Sequence, residues 1–141
     1  MAKEKTTRTT EAGKRNGRNR DKGKEFEREV ANAMKAVFPL AARSYGQSAT
    51  GLEAPDVVGT SFWIECGKGK TIRAEAKFAQ SAASHEKTVY PRAPSMRPIA
   101  VTTKGGRGAE VLVTMRLDTL MEILAEVSTP RFCLFDSPSE K

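Results

Sequence analysis

The chain has 141 residues, a formal charge of +7 and 38 % apolar residues, enough for one domain with a real core, and no apolar run approaches the roughly 20 residues that cross a bilayer. The opening residues lack the apolar stretch of a secretion leader, so the expectation is a soluble, cytoplasmic protein. Cys66 and Cys133 form no CxxC pair and His85 is the lone imidazole, which excludes a Cys/His zinc site and a disulfide framework.

Charge is unevenly placed: residues 1 to 24 hold nine Lys/Arg against three acids, and residues 25 to 141 hold fifteen against fourteen. Residues 1–22 lack large apolar side chains after Met1 and read as a disordered basic arm. Lys14, Arg15, Arg18, Arg20 and Lys22, with Lys24 just beyond, suit nucleic-acid phosphates; a solubility tail is the other reading. The first helix should run from about Gly23 to Phe38, because Phe26, Val30, Ala33, Met34, Val37 and Phe38 form one stripe and Pro39 ends it. Of the three acids in its first turns, only Glu27 flanks that stripe, where it either serves a site or pairs with a neighbouring Lys or Arg. A short strand near Leu40 to Tyr45, carrying Arg43, leads into Gly46–Gly51. This polar loop, with Gln47 and Ser48, either cradles a phosphate or merely connects.

Val57-Val58 and Phe62-Trp63-Ile64 read as two strands joined through Gly59-Thr60-Ser61. A two-residue turn at Thr60-Ser61 sets Val58 opposite Trp63 and Asp56 opposite Glu65, so the two carboxylates share one face with Cβ atoms about 5 Å apart. Acids that close repel unless a cation lies between them, and oxygen ligands suit a hard ion such as Mg²⁺. The pair is the geometry of metal-assisted phosphodiester hydrolysis; the plainer reading is two solvated acids. Apolar neighbours on both sides of Glu65 argue for a buried strand, where a lone carboxylate is costly.

A second helix is expected near Ile72 to Glu86, with Ile72, Ala76, Ala79 and Ala83 as a small-residue face against a sheet and Lys77, Gln80 and Ser84 bordering it. The stretch from Lys87 to Pro98 reads as a loop. Ile99–Thr103 and Glu110–Met115 form a hairpin around Gly105-Gly106-Arg107-Gly108, and a last helix carries Leu117, Leu120, Met121 and Leu124 on one face. Gly69-Lys70-Thr71 lacks the earlier glycine of a P-loop, so no nucleotide cofactor is expected, and His85 reads as a solvated helix-end residue. The element order indicates an α/β protein with a mixed sheet covered by helices.

With these residues in place the chain resembles the PD-(D/E)XK nuclease superfamily, and within it the small Holliday junction resolvases of archaea and phages. The likeness rests on Gly23-x-x-Phe26-Glu27-Arg28-Glu29, on Arg43 to Ser48 before a polar loop, on Pro55-Asp56-Val57-Val58 and on Trp63-Ile64-Glu65-Cys66. It implies a restriction-endonuclease-like core over residues 23–127, followed by a C-terminal tail at 128–141. It also implies Asp56, Glu65 and the Cys66 carbonyl as ligands of Mg²⁺ or Mn²⁺, with Glu27 assisting. A lysine two residues after the second acid would complete such a site, but that position holds Gly67. A bulge at Gly67 would return Lys68 to the acid face; otherwise Lys77 or Arg73 substitutes, or the protein binds without cutting. Lys70 and Lys77 join Arg43, Gln47, Ser48 and the arm as candidate nucleic-acid contacts. The expectation is a metal-dependent, structure-selective endonuclease acting on branched or duplex DNA as a homodimer. The alternatives are an inactive DNA-binding relative and a basic RNA-binding or assembly protein.

Overall fold

The computed structural model describes residues 11–45, 53–88 and 95–128; the basic residues before Glu11, Gln47 and Ser48 of the polar loop, and the tail beyond Ser128 with Cys133 lie outside them. The elements are α1 (Glu11–Met34), β1 (Ala42–Arg43), β2 (Val57–Val58), β3 (Phe62–Lys68), α2 (Ala74–Lys87), β4 (Arg97–Thr103), β5 (Val111–Thr114) and α3 (Leu117–Ser128). The protein is α/β: five strands in the order β1-β2-β3-β4-β5 form a mixed sheet, antiparallel except for the parallel pair β3–β4. No helix among the described residues is long and apolar enough to cross a membrane.

Strand alternation divides β3 between two cores. Ile64 and Cys66 join Phe26, Val30 and Ala31 of α1, Ala41, Val57, Ile99 and Val101 in one buried cluster, against which Phe62 and Met34 also pack. Trp63 points the other way, wholly buried, with Met96 beside it and His85 of α2 edge-on at 5.7 Å between ring centroids. His85 therefore packs on Trp63 and is not the solvated residue expected.

Three helical expectations shift. The first helix begins at Glu11 and ends at Met34, not Gly23 and Phe38. Once packing of the Phe26–Met34 half has met the cost of nucleation, the lysines and arginines before it extend the helix in spite of Gly13, Asn16, Gly17 and Asn19, so the arm over residues 11–22 is helical where disorder was expected. At the other end Pro39 forces an earlier stop, and Val37 and Phe38 donate their N–H groups to the Met34 carbonyl. α2 buries nearly the opposite face from the alanine stripe: Ala76 and Ala79 are exposed, while Lys77, Phe78, Ser81 and His85 turn inward. The cause is Ser81, fully buried, whose hydroxyl lies 3.1 Å from the Trp63 carbonyl and 3.0 Å from that of Ile99. A serine brings the helix as close to the sheet as an alanine would, and it adds a tether. α3 departs most, since its apolar residues Leu117, Leu120, Met121 and Leu124 are all exposed.

Candidate active site

Asp56 is fixed before its side chain does anything. Its N–H donates to the Ile64 carbonyl at 2.8 Å and its carbonyl accepts from Ser44 N–H at 2.9 Å, so β1 and β3 clamp the residue from both sides. Pro55, buried and without an N–H, ends the β2 ladder just there. The Asp56 side chain takes over, its Oδ2 accepting the Cys66 N–H at 2.7 Å. Val57 pairs with Ile64, the register a Thr60-Ser61 turn dictates, and Asp56 and Glu65 consequently lie side by side on the α2 face. The two carboxylates are close enough to hydrogen-bond each other.

Glu65 is 4 % exposed. Burial first, and the Asp56 charge second, push its carboxyl up to about 7. Burial also raises Asp56, with the Glu27 charge adding to it and the Cys66 N–H opposing it. From α2, Gln80 donates to Glu65 Oε2 at 3.3 Å and accepts from Lys77 Nζ at 3.0 Å, while Lys77 Nζ lies 3.8 Å from Glu65 Oε2. One lysine thus faces two buried acids. Below about pH 7 the pair keeps one proton between its two carboxyls and a single negative charge faces Lys77; above it the second carboxyl ionises and has no lysine of its own, a cost that a bound cation would relieve.

No three His, Cys, Asp or Glu side chains among the described residues form a closed metal cage. Magnesium does not ask for one, since it commonly takes one or two carboxylates and completes its shell with water and substrate phosphate. Asp56 and Glu65 fit that requirement. The Cys66 backbone faces Asp56 through its N–H, and a residue's C=O leaves a strand on the same side as its N–H. The Cys66 thiol instead points into the α1 core, where burial raises its pKa and leaves it inert.

The lysine expectation is corrected. β3 pairs with β4 without a break, Glu65 to Ala100, Gly67 to Thr102 and Lys68 to Thr103, so there is no bulge at Gly67. Lys68 stays on the α1 face, 5.9 Å above the Phe26 ring and 4.0 Å from Glu29. Lys77 occupies the acid face in its place. A Cβ built on Gly67 would meet Lys77 Cγ at 3.0 Å and Cε at 3.1 Å. The glycine therefore opens the groove through which Lys77 reaches Glu65. Gln80, on the border of the alanine face, stays exposed while its amide reaches back to Glu65, a contact that helical periodicity does not show.

Glu27 and Arg43 claim each other, with Arg43 Nε 2.6 Å from Glu27 Oε2, and the Arg43 guanidinium also sits 5.2 Å from the centre of the Tyr45 ring. Glu27 lies close enough to raise Asp56 electrostatically, but its own charge is already paired. Lys14, Arg15, Arg18, Arg20, Lys22 and Lys24 are exposed along α1, and Lys70 is exposed beyond β3.

The raised Glu65 carboxyl has a measurable consequence for stability. Its folded pKa lies above that of the unfolded chain, so the folded state holds the extra proton between about 4.5 and about 7, and stability is greatest below that window and falls as pH rises through it. Chemical denaturation of metal-free protein should show a loss of roughly 2 to 3 kcal/mol across the window. Glu65→Gln, which cannot ionise, should flatten the profile; an equally steep fall in that variant would mean another group is responsible.

No protein-family model, curated protein or solved structure matches the chain, so the reading of this site stands on its own geometry.

Proposed function

We propose that the chain is a Mg²⁺-dependent, structure-selective DNA endonuclease with a restriction-endonuclease-like core, a resolvase-type enzyme that hydrolyses phosphodiester bonds in branched DNA. The observation that carries this reading is the convergence of the Asp56 and Glu65 carboxyls, both raised by burial, held on adjacent strands and served by a single lysine. Bound to those carboxylates, Mg²⁺ or Mn²⁺ would polarise a phosphoryl oxygen and help to ionise a water. Asp56, held by Cys66 N–H, keeps its orientation without reorganisation. Lys77, steered by Gln80, offers its ammonium to the negative charge that grows on the phosphoryl oxygens. Glu27 and Arg43 act as positioning residues that fix the approach of α1 to β1 beside the acids.

The partner in this reading is a second copy of the chain, as a junction of near two-fold symmetry asks for paired incisions. α3 supports this because it is mounted inside out. Thr119 is buried and Glu122 and Glu126 pair with Arg97 of β4 at 3.1 and 2.6 Å, which leaves Leu117, Leu120, Met121, Leu124 and Val127 facing outward. β5, at the sheet edge, exposes Val111 and Val113 on one face and Leu112 on the other, so the apolar stripe of α3 is the surface that a second copy would cover.

The test is incubation of the full chain with a synthetic four-way junction and with linear duplex, in Mg²⁺ and in EDTA. The expected result is junction cleavage in Mg²⁺ alone, abolished by Asp56→Asn while DNA binding persists. Binding with no cleavage under any divalent ion would favour the second reading, a nuclease fold that only binds DNA, to which Gly67 in place of a lysine points.

A further inference from the structure

The other face of the sheet carries a feature the acid site does not use. Where the parallel strands β3 and β4 end, a pocket of about 490 Å³ is lined by Asn19, Lys22 and Glu25 of α1, by Lys68, Gly69 and Lys70, and by Lys104, Gly105 and Gly106. Four lysines from three separate segments thus meet in one concavity with one carboxylate among its lining residues. Lys22, Lys70 and Lys104 have no acidic partner within 4.0 Å among the described residues, and Lys68 only reaches Glu29 at 4.0 Å.

Surface lysines ordinarily spread apart or alternate with acids, because like charges at close range repel. Convergence here is imposed by backbone. Lys68 is the last residue of β3 and is paired with Thr103, so Lys70 and Lys104 follow on adjacent loops. Gly69 N–H donates to the Thr103 carbonyl at 3.0 Å and ties the loops together. Gly105, at φ +77°, has no side chain to block Lys68, whose Cε would lie 3.6 Å from a Cβ there. A bulkier residue at position 105 would be strained by that φ and would crowd the Lys68 stem.

We propose that this lysine pocket binds a backbone phosphate of duplex DNA, as a contact separate from the Asp56–Glu65 site and on the opposite face of the sheet. The inference rests on the nucleic-acid reading above and adds where the duplex is held. Lys68 stands three residues beyond Glu65, about 10 Å along β3 and on the other face of it, so the pocket would hold DNA at the strand ends, apart from the acids. The contact also gives a role to the lysine that the acid site left aside, and it accounts for Lys22 and Lys70, which otherwise serve nothing in the fold.

The test compares wild type, Lys70→Ala/Lys104→Ala and, as a control of equal charge, Lys35→Ala/Lys87→Ala, with thermal melting of both double variants to confirm that the four exposed substitutions leave the fold intact. Binding of a fluorescein-labelled duplex is followed by anisotropy in EDTA across a salt series. The pocket variant should lose about tenfold in affinity near 0.1 M salt and lower the slope of log affinity against log salt by about 1 to 2, with the control close to wild type. Equal losses in both double variants would reduce the effect to net charge and overturn the proposal. So would an unchanged pocket variant, even beside intact Mg²⁺-dependent cleavage. If millimolar tripolyphosphate raises the Tm of wild type but not of the pocket variant, and the two bind duplex equally, the pocket takes a free polyphosphate and the DNA contact is wrong. A pocket effect on binding in a protein that never cleaves would uphold the contact and remove the enzyme, whereas a wild type that binds no DNA would remove both.

Discussion

Lys77→Ala is expected to lower Mg²⁺-dependent cleavage by about 10² to 10³, the usual cost of removing one electrostatic donor from a hydrolytic site, while Lys68→Ala leaves the cleavage step near wild type. The difference follows from the unbroken β3–β4 register, which keeps Lys68 on the α1 face, and from the 3.8 Å approach of Lys77 to Glu65. Gly67 offers a sharper version of the same experiment. Gly67→Ala should impair cleavage by pushing aside the Lys77 stem, which a Cβ would meet at 3.0 Å. Gly67→Lys combined with Lys77→Ala should restore part of the activity, because it returns an ammonium to the same space from the strand instead of the helix. Single-turnover rates on a junction substrate read all four variants. Full activity in Lys77→Ala would show that the amine plays no part in the chemistry.

Met121→Glu with Leu124→Glu should convert a dimer into a single chain of 15.4 kDa. Both residues sit on the outward stripe of α3, 57 % and 48 % exposed. Each substitution forfeits about 1.5 to 3 kcal/mol of apolar burial and sets like charges against their symmetry mates, so the dimer dissociation constant should rise by more than about 10²-fold. Sedimentation equilibrium measures this directly. The same variant should still nick a junction but lose the paired incision. A wild type that sediments as a monomer at tens of micromolar would remove the second copy from the proposed function.

The pH profile of the metal-free protein bears on the site from another direction. Added Mg²⁺ should raise stability most at the alkaline end of the window in which Glu65 loses its proton, since a ligand that binds the folded state stabilises it in proportion to its affinity there.

Some of this was legible along the chain and some was not, and the division follows the range of the interactions. A turn at Thr60-Ser61 and the two-residue period of a strand, both local, place Asp56 beside Glu65, and the β2–β3 register agrees. The β4–β5 hairpin around the glycine run was equally local, as was the existence of all three helices. Their rotations were not local. Helical periodicity ranked the alanine face of α2 as the buried one, yet a single serine bonding two strand carbonyls turned Lys77 and Gln80 toward the acids. In α3 the apolar stripe is legible from its spacing, but which way it faces is not, because Arg97, on a strand twenty-five residues from Glu122, holds the acidic side against the sheet end. Which lysine faces the acids, and that four others gather behind them, depends on where distant segments cross the sheet. The sequence by itself determined the acid pair, through backbone pairing that any two adjacent strands obey; only the tertiary structure decided its companions, because a helix can turn any face to a sheet and the choice is made by side chains far apart in the chain.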